Sequence, residues 1–544
     1  MKFIKIEIIL VLLGFCLSYV TASDKIRFNS LGFTPESKKT ATIIGNSSEF
    51  EIINTDNNKT VLKDKCMRMA YREYVGESGF TIDFTNITTP GTYVIKTSDG
   101  TQSESFEIKN DAYDQAFYAS MRAFYLWRCG TAVEGTHNGV TFSQEKCHQE
   151  DGWMDLTEFG AKQKDGTGGW HDAGDYGKYV TNAGITVGNL FMAWDNFNEK
   201  LKSYNLDLPI TAEGYPDFLQ ELKWETDWLL KMQYPDNSGR VFHKLTRKSF
   251  SGFIMPSEDK DKRYYAEWGT TATATFAATM AMASRYFKPY DEAYAKICLE
   301  AALKSYEFLK GHPEYKKWNQ KEFSTGAYRT HDFSPRIWMA AELWETTGDD
   351  VYLKDFETKI KEYKNKVDKN WDWKDMKNLG VFTYLLSDKN GKDAKLFETI
   401  KSDAITVADE IVNSTETDLY GRPFQQYYWG CNGTVARLSV NLYVAGELTK
   451  DKKYKLAAYD IAAHLLGRNY YNRSFVTGLG INPPMKPHDR RFGADGIDAP
   501  WPGYIVGGGH SATDWVDEEK SFSHNEVAIN WQAALVYIVA WIND

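Results

Sequence analysis

Two aspartates in the stretch GWHDAGDYGKY, residues 169–179, are spaced for proton-transfer chemistry. Asp172 and Asp175 are separated by an alanine and a glycine, so their carboxyl groups can be directed at one point. The stretch leads into a predicted helix, whose N-terminus favours the ionised form that a general base requires. An N-cap followed by a turn, or a calcium-binding loop, is the alternative interpretation of the same residues.

Glu526 is a third candidate carboxyl group, and it opens the last apolar segment of the chain. Its spacing from Ser523 also fits a capping box, in which the glutamate side chain returns to a backbone N–H. A general acid must hold its proton, whereas a helix N-terminus favours the charged carboxylate. Burial, or the proximity of the two aspartates, would raise the pKa of Glu526 enough for proton donation.

His488 and Arg490 lie in a segment, residues 474–490, that is too rich in glycine and proline for a helix. Two residues apart in an extended segment, their side chains fall on the same side. They could donate hydrogen bonds to the hydroxyl groups of a ligand. Alternatively, Arg490 could pair with a neighbouring aspartate.

Two cysteines and two histidines form a candidate metal site, namely Cys129, Cys147, His148 and His171. Such a set suits a closed tetrahedral zinc site. The ion would brace the long loop between the cysteines and His171 and, through His171, the neighbouring Asp172. The alternative is a disulfide between the two cysteines, with two unrelated histidines.

The elements that must position these residues change character along the chain. Residues 23–109 hold short β-branched and aromatic stretches between turn residues, which predicts a β-sandwich. Helical periodicity then predicts twelve helices, whose repeated hairpins favour a closed ring. The long intervening segments, 129–177 and 468–523, carry candidate residues at their ends. The predicted helices cover residues 112–128, 178–198, 214–233, 268–286, 288–310, 333–347, 350–366, 377–387, 394–412, 433–448, 451–467 and 524–542.

Composition excludes several functions for this chain of 544 residues. The net charge is −10 and the charges are interspersed, so nucleic acid and anionic membranes are not expected partners.

Residues 1–22 have the charge and apolar pattern of a secretory signal peptide, which predicts a secreted protein. Lipid anchoring at Cys16, or a periplasmic location, is the alternative. No later apolar run reaches the roughly 20 residues of a membrane span, and we expect a soluble monomer.

The three motifs, in this order and among twelve predicted helices, resemble those of the family 9 glycoside hydrolases with an N-terminal immunoglobulin-like domain. Residues 29–35 resemble the opening of that domain, and residues 515–533 resemble the family signature that contains the acid. The resemblance implies a mainly α protein. Its (α/α)6 toroid would occupy residues 110–544, preceded by a small all-β immunoglobulin-like sandwich at residues 23–109.

The resemblance also implies an inverting endo-β-1,4-glucanase that cleaves internal bonds of cellulose or a related β-glucan. Asp175 would be the general base, Asp172 would help to hold the attacking water, and Glu526 would be the general acid. An exo-acting cellobiohydrolase or cello-oligosaccharide hydrolase is the alternative within the same fold, and a non-catalytic glycan-binding protein is the alternative outside it. The implied sugar-binding residues are His243, Trp429, His488, Arg490 and Trp531, with Trp429 the stronger of the two tryptophans.

The resemblance implies a structural zinc ion on the four cysteine and histidine residues. It also implies calcium binding. No organic cofactor is expected. Relatives place an Asp-Glu pair where this sequence has Ser334-Pro335, so that calcium site is expected to be lost. Asp495 and Asp498 are candidates for another calcium site.

Overall fold

The computed structural model of this protein describes residues 23–544. The predicted signal peptide, with Cys16, lies outside the described residues. Between residues 23 and 544 no helix is long and apolar enough to cross a bilayer.

The N-terminal part is a sandwich of two antiparallel four-stranded sheets, in the orders β1-β2-β6-β5 and β4-β3-β7-β8. Side chains of β3 alternate between buried and part-exposed, as expected for a strand with one face on the core. Phenylalanines from both sheets and their connections fill that core. The strands are β1 (Ile26–Phe28), β2 (Thr40–Ile44), β3 (Glu49–Asn54), β4 (Lys59–Lys65), β5 (Met67–Arg72), β6 (Glu77–Asp83), β7 (Gly91–Thr97) and β8 (Phe106–Ile108).

The rest of the described chain contains twelve α-helices of ten or more residues, as the sequence predicts, one short α-helix and one 3-10 turn at Pro256–Glu258. The α-helices are α1 (Asp114–Leu126), α2 (Val180–Leu201), α3 (Asp217–Lys231), α4 (Thr270–Phe287), α5 (Glu292–Lys310), α6 (Phe333–Thr347), α7 (Asp350–Lys361), α8 (Lys377–Leu386), α9 (Ala394–Thr417), α10 (Cys431–Thr449), α11 (Lys453–Leu465), the short α12 (Phe522–Asn525) and α13 (Ile529–Asn543).

Six of these helices close a ring, because α2, α4, α6, α8, α10 and α13 contact one another in a cycle. The helices α1, α3, α5, α7, α9 and α11 pack outside them. Every residue of α13 is buried, so this helix is apolar on all sides, as a helix inside a ring must be. The predicted (α/α)6 toroid is confirmed.

Short strands link the long loops to this ring. β9 (Val133–His137) pairs with β10 (Val140–Gln144) in a hairpin. β11 (Lys178–Tyr179), β12 (Lys244–Thr246) and β13 (Tyr264–Tyr265) form a small sheet. The strand β11 replaces the first residues of the helix predicted from residue 178, since Lys178 and Tyr179 pair with β12.

The sandwich is fixed to the toroid through buried polar contacts. Arg468 forms an ion pair with Asp460, with 2.8 Å between Nη1 and Oδ1, and donates hydrogen bonds to the hydroxyls of Thr40 and Thr42 on β2. The hydroxyl of Thr42 in turn donates to the Leu419 carbonyl. The predicted domain boundary at residues 109 and 110 falls between β8 and α1 and stays a prediction.

The sequence prediction is wrong at the start of the last helix. Glu526 has an extended backbone (φ −72°, ψ 155°), and α13 begins only at Ile529. The side chain of Ser523 contacts His524 instead of completing a capping box with Glu526. The reason is tertiary: residues 526–528 are paired with three other segments, which keeps Glu526 out of the helix.

Candidate active site

The three sequence motifs meet through strand-like backbone pairing. Ala173 pairs with Ala528 in an antiparallel bridge, and His488 pairs with Glu526 in a parallel one. A further antiparallel bridge joins Val527 to residue 506. This pairing brings the two aspartates, the histidine and the glutamate from distant parts of the sequence to one place.

The small residues of the aspartate motif are needed for this approach. A Cβ atom on Gly174 would lie 2.3 Å from the carbonyl oxygen of His488, which is too close for any side chain. A Cβ atom on Gly177 would lie 2.6 Å from Oδ2 of Asp175. The glycines therefore allow the aspartate loop to lie directly against the histidine segment.

Asp172 is buried, and both of its carboxyl oxygens accept hydrogen bonds. Asn182 donates to Oδ1 at 2.7 Å, and the Tyr328 hydroxyl donates to Oδ2 at 2.6 Å. Burial raises the pKa of Asp172 well above its usual value, and the charge of Asp175 raises it further. Asp172 is thus held by hydrogen bonds at both oxygens and is hard to ionise.

Asp175 differs from Asp172 in having one oxygen without a protein donor. The Gly177 amide at 2.9 Å and the Tyr179 hydroxyl at 3.0 Å both donate to Oδ2. Within the described residues, Oδ1 receives no hydrogen bond and is available to a water molecule. This arrangement suits a general base better than that of Asp172.

Glu526 has the properties that a general acid requires. Its side chain keeps part of its surface exposed to solvent. Burial of the carboxyl raises its pKa well above the usual value, and the charges of Asp175 and Asp172 add to that shift. The helix-terminus effect that would favour the charged form is absent, because α13 begins three residues later. The carboxyl therefore retains its proton at a pH where an ordinary glutamate has lost it.

His488 and Arg490 are fixed beside the two acidic segments. Nδ1 of His488 donates to the Glu519 carbonyl at 2.6 Å, and burial lowers the pKa of this histidine. The neutral ring then presents Nε2 as an acceptor. Arg490 donates to the carbonyls of Gly174 and Ser251. The alternative ion pair is not formed by this arginine, since Arg491 pairs with Asp489.

The two predicted aromatic platforms differ in exposure. Trp429 is 47% exposed, and its ring centroid lies 5.4 Å from that of the exposed Phe522. Trp531 is only 8% exposed, and a Cβ atom on Gly430 would lie 2.5 Å from its ring. Trp531 is therefore packed beneath the loop that carries Trp429, which does not fit the sequence prediction of a sugar platform.

His243 is placed differently from the sequence prediction of a sugar contact. It is 1% exposed, and its ring stacks on Trp318 with 4.3 Å between centroids. Its Nε2 donates to the Ala327 carbonyl at 2.9 Å. His243 is enclosed by protein groups and holds the segment before Tyr328, while its contact with a sugar stays a prediction.

Several groups at the site are missed by the sequence analysis. Asn182 and Tyr328 donate to Asp172, and Lys244 lies buried behind Tyr179. Asn182 lies one helical turn beyond the end of the aspartate motif, so the sequence spacing could have indicated that this residue contacts Asp172. Tyr328 carries no such signal, since it reaches the site only through the loop between α5 and α6.

The four predicted metal ligands converge, with their donor atoms all within 4.8 Å of one another. Nδ1 of His148 lies 3.5 Å from Sγ of Cys129 and 3.4 Å from Nε2 of His171, while the latter atom is 3.9 Å from Sγ of Cys147. Tetrahedral zinc bonds of about 2.0–2.3 Å place ligand atoms about 3.3–3.8 Å apart, so the set fits zinc. The cysteines form no disulfide. Nε2 of His148 lies 3.4 Å from Asp259, which would orient it as a ligand.

The calcium candidates are not gathered in the same way. Asp495 accepts hydrogen bonds from the Ile497 amide at 2.9 Å and the Trp501 indole at 2.7 Å, which occupy both of its oxygens. Within residues 23–544, the cysteine and histidine set is the one group of three or more possible ligands that lie close together. Asp498 is not part of such a group.

Comparisons with known proteins show the family to which the chain is similar. The model of glycosyl hydrolase family 9 matches residues 113–539, and that of the cellulase N-terminal ig-like domain matches residues 21–102. Endoglucanase D of Acetivibrio thermocellus is 48% identical over 520 residues, covering 95% of this chain and 83% of that protein. The xyloglucan-specific endo-beta-1,4-glucanase of Bacteroides ovatus is 31% identical, covering 96% and 94%. A solved Bacteroides ovatus GH9 structure superposes with a TM-score of 0.89 at 30% identity, covering 96% of this chain and 99% of that one.

The raised pKa of Glu526 predicts a pH-dependent gain in stability for Glu526→Gln. When the folded pKa exceeds the unfolded one, the stability that the carboxyl contributes is lost as pH rises through the folded pKa. The variant avoids this loss, about 1.4 kcal/mol for each unit of pKa difference. Thermal unfolding at pH 8 should therefore show a higher Tm for the variant than for the wild type, with the difference vanishing near pH 4.

The matched control for this measurement is Glu518→Gln, which changes an exposed glutamate of the same loop. It should alter the Tm at neither pH. A Glu526→Gln protein no more stable than the wild type at pH 8 would contradict the electrostatic description of the site.

Proposed function

The chain belongs to glycosyl hydrolase family 9, and we propose that it is an inverting endo-β-1,4-glucanase acting on cellulose or a related β-glucan. The single observation that carries the proposal is the convergence of Asp172, Asp175 and Glu526 through backbone pairing. The 48% identity with an endoglucanase over 95% of the chain supports the same activity. We further propose that residues 1–22 direct export of the protein.

The proposed reaction is a single displacement by water. Asp175 removes a proton from the water through its unengaged Oδ1, and Asp172 helps to hold that water. Glu526 protonates the glycosidic oxygen as the bond to the sugar breaks. An inverting mechanism requires the base and the acid to stand on opposite sides of the sugar, about 6.5–9.5 Å apart, with room for the water between them.

The hydrogen bonds described above support this division of labour. The base must be ionised, and the Gly177 amide and the Tyr179 hydroxyl both stabilise negative charge on Asp175. The acid must be protonated, and the nearby aspartates disfavour a third negative charge on Glu526. The two donors are thus placed to stabilise a carboxylate at Asp175, while burial and the neighbouring carboxyl groups favour the neutral form of Glu526.

Sugar binding is assigned to groups around these carboxyls. We propose that Nε2 of His488 accepts a hydrogen bond from a sugar hydroxyl and that Arg490 donates one next to the scissile bond. Trp429 offers an exposed ring against which the apolar face of a glucose unit can stack. A xyloglucan-specific relative at 31% identity supports including substituted β-glucans among the possible substrates.

We also propose that the cysteine and histidine set holds one structural zinc ion. Zinc would supply cross-linking of the loop, not catalysis, because all four positions of a tetrahedral site would be filled by protein. The residues themselves connect the loop at Cys129 to His171, which precedes Asp172. Their ligand geometry therefore stabilises the start of the aspartate loop.

Endo action predicts a rapid change in polymer length. The wild-type protein should lower the viscosity of carboxymethylcellulose steeply while few reducing ends have been released, because internal cuts shorten chains most effectively. Viscometry run in parallel with a reducing-sugar assay tests this. A proportionate, slow fall in viscosity with release of short products would support the exo-acting alternative.

The catalytic assignment predicts that Asp175→Asn and Glu526→Gln each lower kcat by about 10²–10⁴-fold, because each removes a proton-transfer group. Asp172→Asn should be nearly as damaging. Hydrolysis of cellopentaose gives kcat, and calorimetric titration with the same sugar should show binding largely retained. Near-wild-type kcat in Asp175→Asn or Glu526→Gln would rule out that residue's assigned role, and Glu518→Gln serves as the unaffected control.

The zinc proposal predicts about one zinc ion per chain by elemental analysis, because thiolate and imidazole ligands together favour that ion. Cys147→Ser should lose the metal, lower the Tm and reduce activity secondarily. Cys298→Ser removes another buried cysteine, on α5, and should leave the zinc content unchanged. A metal-free wild type with two fewer titratable thiols than its five described cysteines would instead indicate a disulfide.

A further inference from the structure

A buried lysine behind the aspartate loop has no part in the proton transfers described above. Lys244 is fully buried at the start of β12, where it is the cross-strand partner of Tyr179. Burial of an ammonium group costs several kcal/mol unless hydrogen bonds and nearby charge compensate for it. The groups that compensate Lys244 therefore indicate what the lysine holds in place.

The ammonium group of Lys244 donates all of its hydrogen bonds to one segment, residues 320–326. Its Nζ donates to the Gly326 carbonyl at 2.8 Å, to the Thr325 hydroxyl at 2.9 Å and to the Gln320 side chain at 3.2 Å. Among the described residues, no carboxylate lies within ion-pair distance of this ammonium. Its contacts thus fix a loop instead of neutralising a neighbouring charge.

That loop, residues 325–328, is hereafter the donor loop. Its successive carbonyls are each held by a side chain: Gln320 donates to Thr325, Lys244 donates to Gly326, and His243 donates to Ala327. A second donor to the Ala327 carbonyl is the indole of Trp318, at 3.2 Å. The backbone of the donor loop is therefore restrained at three consecutive residues.

The donor loop in turn sets the hydrogen bonds to both aspartates. The Gly326 amide donates to the Tyr179 hydroxyl, and that hydroxyl donates to Asp175. A Cβ atom on Gly326 would lie 3.0 Å from the Tyr179 ring, so the two are in close contact. The next residue but one, Tyr328, donates to Asp172. A shift of this loop would disturb both carboxyl groups together.

We propose that Lys244 is a positioning residue for the aspartate pair: its ammonium group fixes the donor loop, which carries hydrogen-bond donors that act on Asp172 directly and on Asp175 through Tyr179. The inference rests on the proposed function, in which Asp175 is the base. Lys244 itself contacts neither substrate nor reacting atoms in this scheme.

The charges around Lys244 agree with this role. The titratable and charged groups that face it are Asp175, Arg329 and the phenol of Tyr179, whose ring centroid lies 5.6 Å from Nζ. Burial lowers the pKa of Lys244 to about 7, and the charge of Asp175 acts in the opposite direction. Loss of the ammonium group would also loosen the donor loop and with it the Tyr179 hydroxyl that donates to Asp175.

The decisive experiment compares Lys244→Met, which keeps the length of the side chain, with the wild type. Kinetics on cellopentaose should show kcat reduced by at least tenfold with KM changed less than twofold, because the loop acts on the base and not on binding. The acid limb of the kcat/KM profile should move to higher pH. Lys244→Arg restores the charge and should return that limb towards the wild-type position.

Hydrogen exchange gives a readout that does not depend on activity. The amides of the donor loop should exchange faster in Lys244→Met, and also, to a smaller degree, in the milder variant Thr325→Val. If the wild type fails to cleave β-1,4-glucans, the proposed function fails, whereas unchanged exchange in both variants overturns the role of Lys244 in holding the loop. If Lys244→Met does not fold, Thr325→Val carries both measurements.

Lys366→Met is the matched control for a lost buried lysine. Lys366 also donates to backbone carbonyls, at residues 360 and 361, but it lies beyond the end of α7. The Lys366→Met variant should have a lower Tm than the wild type, while its KM and the acid limb of its kcat/KM profile stay unchanged. A folded Lys244→Met protein that behaves in the same way, with wild-type kcat and pH profile, would overturn the positioning role.

Discussion

The strand-like pairing of three loop segments is the constraint on which the active site depends. It holds the aspartate segment around Ala173, the histidine segment at His488 and the acid segment at Glu526–Ala528 in one layer above the helical ring. Glu526 lies outside the helix that the sequence predicts for it and takes part in this pairing instead. Directional backbone bonds fix relative positions more tightly than side-chain packing alone, and catalysis requires such fixed geometry.

The arrangement places three carboxyl groups close together, where they repel one another. This repulsion destabilises the site and also contributes to the raised pKa values on which the proposed chemistry depends. Asp172 and Glu526 both have raised pKa values, with burial as the largest cause in each case. Hydrogen-bond donors are distributed unequally. Both oxygens of Asp172 accept hydrogen bonds, whereas Asp175 accepts them at only one of its two oxygens. A site of this kind stores unfavourable electrostatic energy that the surrounding fold must offset, as is common where function requires strain. The donor loop contacts the aspartate loop through Tyr179 and Tyr328, and the cysteine and histidine set includes His171, which precedes Asp172.

Helical periodicity and alternating strands predict a ring of helical hairpins and a sandwich, because both patterns are local. The (α/α)6 toroid and the roles of the three carboxyl groups come from the family resemblance of the motifs that contain them. The sequence prediction is wrong where tertiary contacts override local preference. Glu526 leaves its predicted helix because other segments pair with it. His243 and Trp531 are buried, and their contacts with a sugar stay predictions. Tyr328, Lys244 and Asp259 are missed because they approach the site from separate loops, and no spacing within the sequence connects them to it.

The central claim is that Asp175 activates water and Glu526 protonates the leaving oxygen, so the sugar is attacked once, from the side opposite the bond that breaks. The configuration of the first product tests this most directly, and proton NMR can follow it while the wild-type protein hydrolyses cellopentaose. The α-anomer should appear first from the β-linked substrate, with the β-anomer growing in only through mutarotation. Initial release of the β-anomer would show a retaining, double-displacement mechanism and would contradict the roles assigned to both residues.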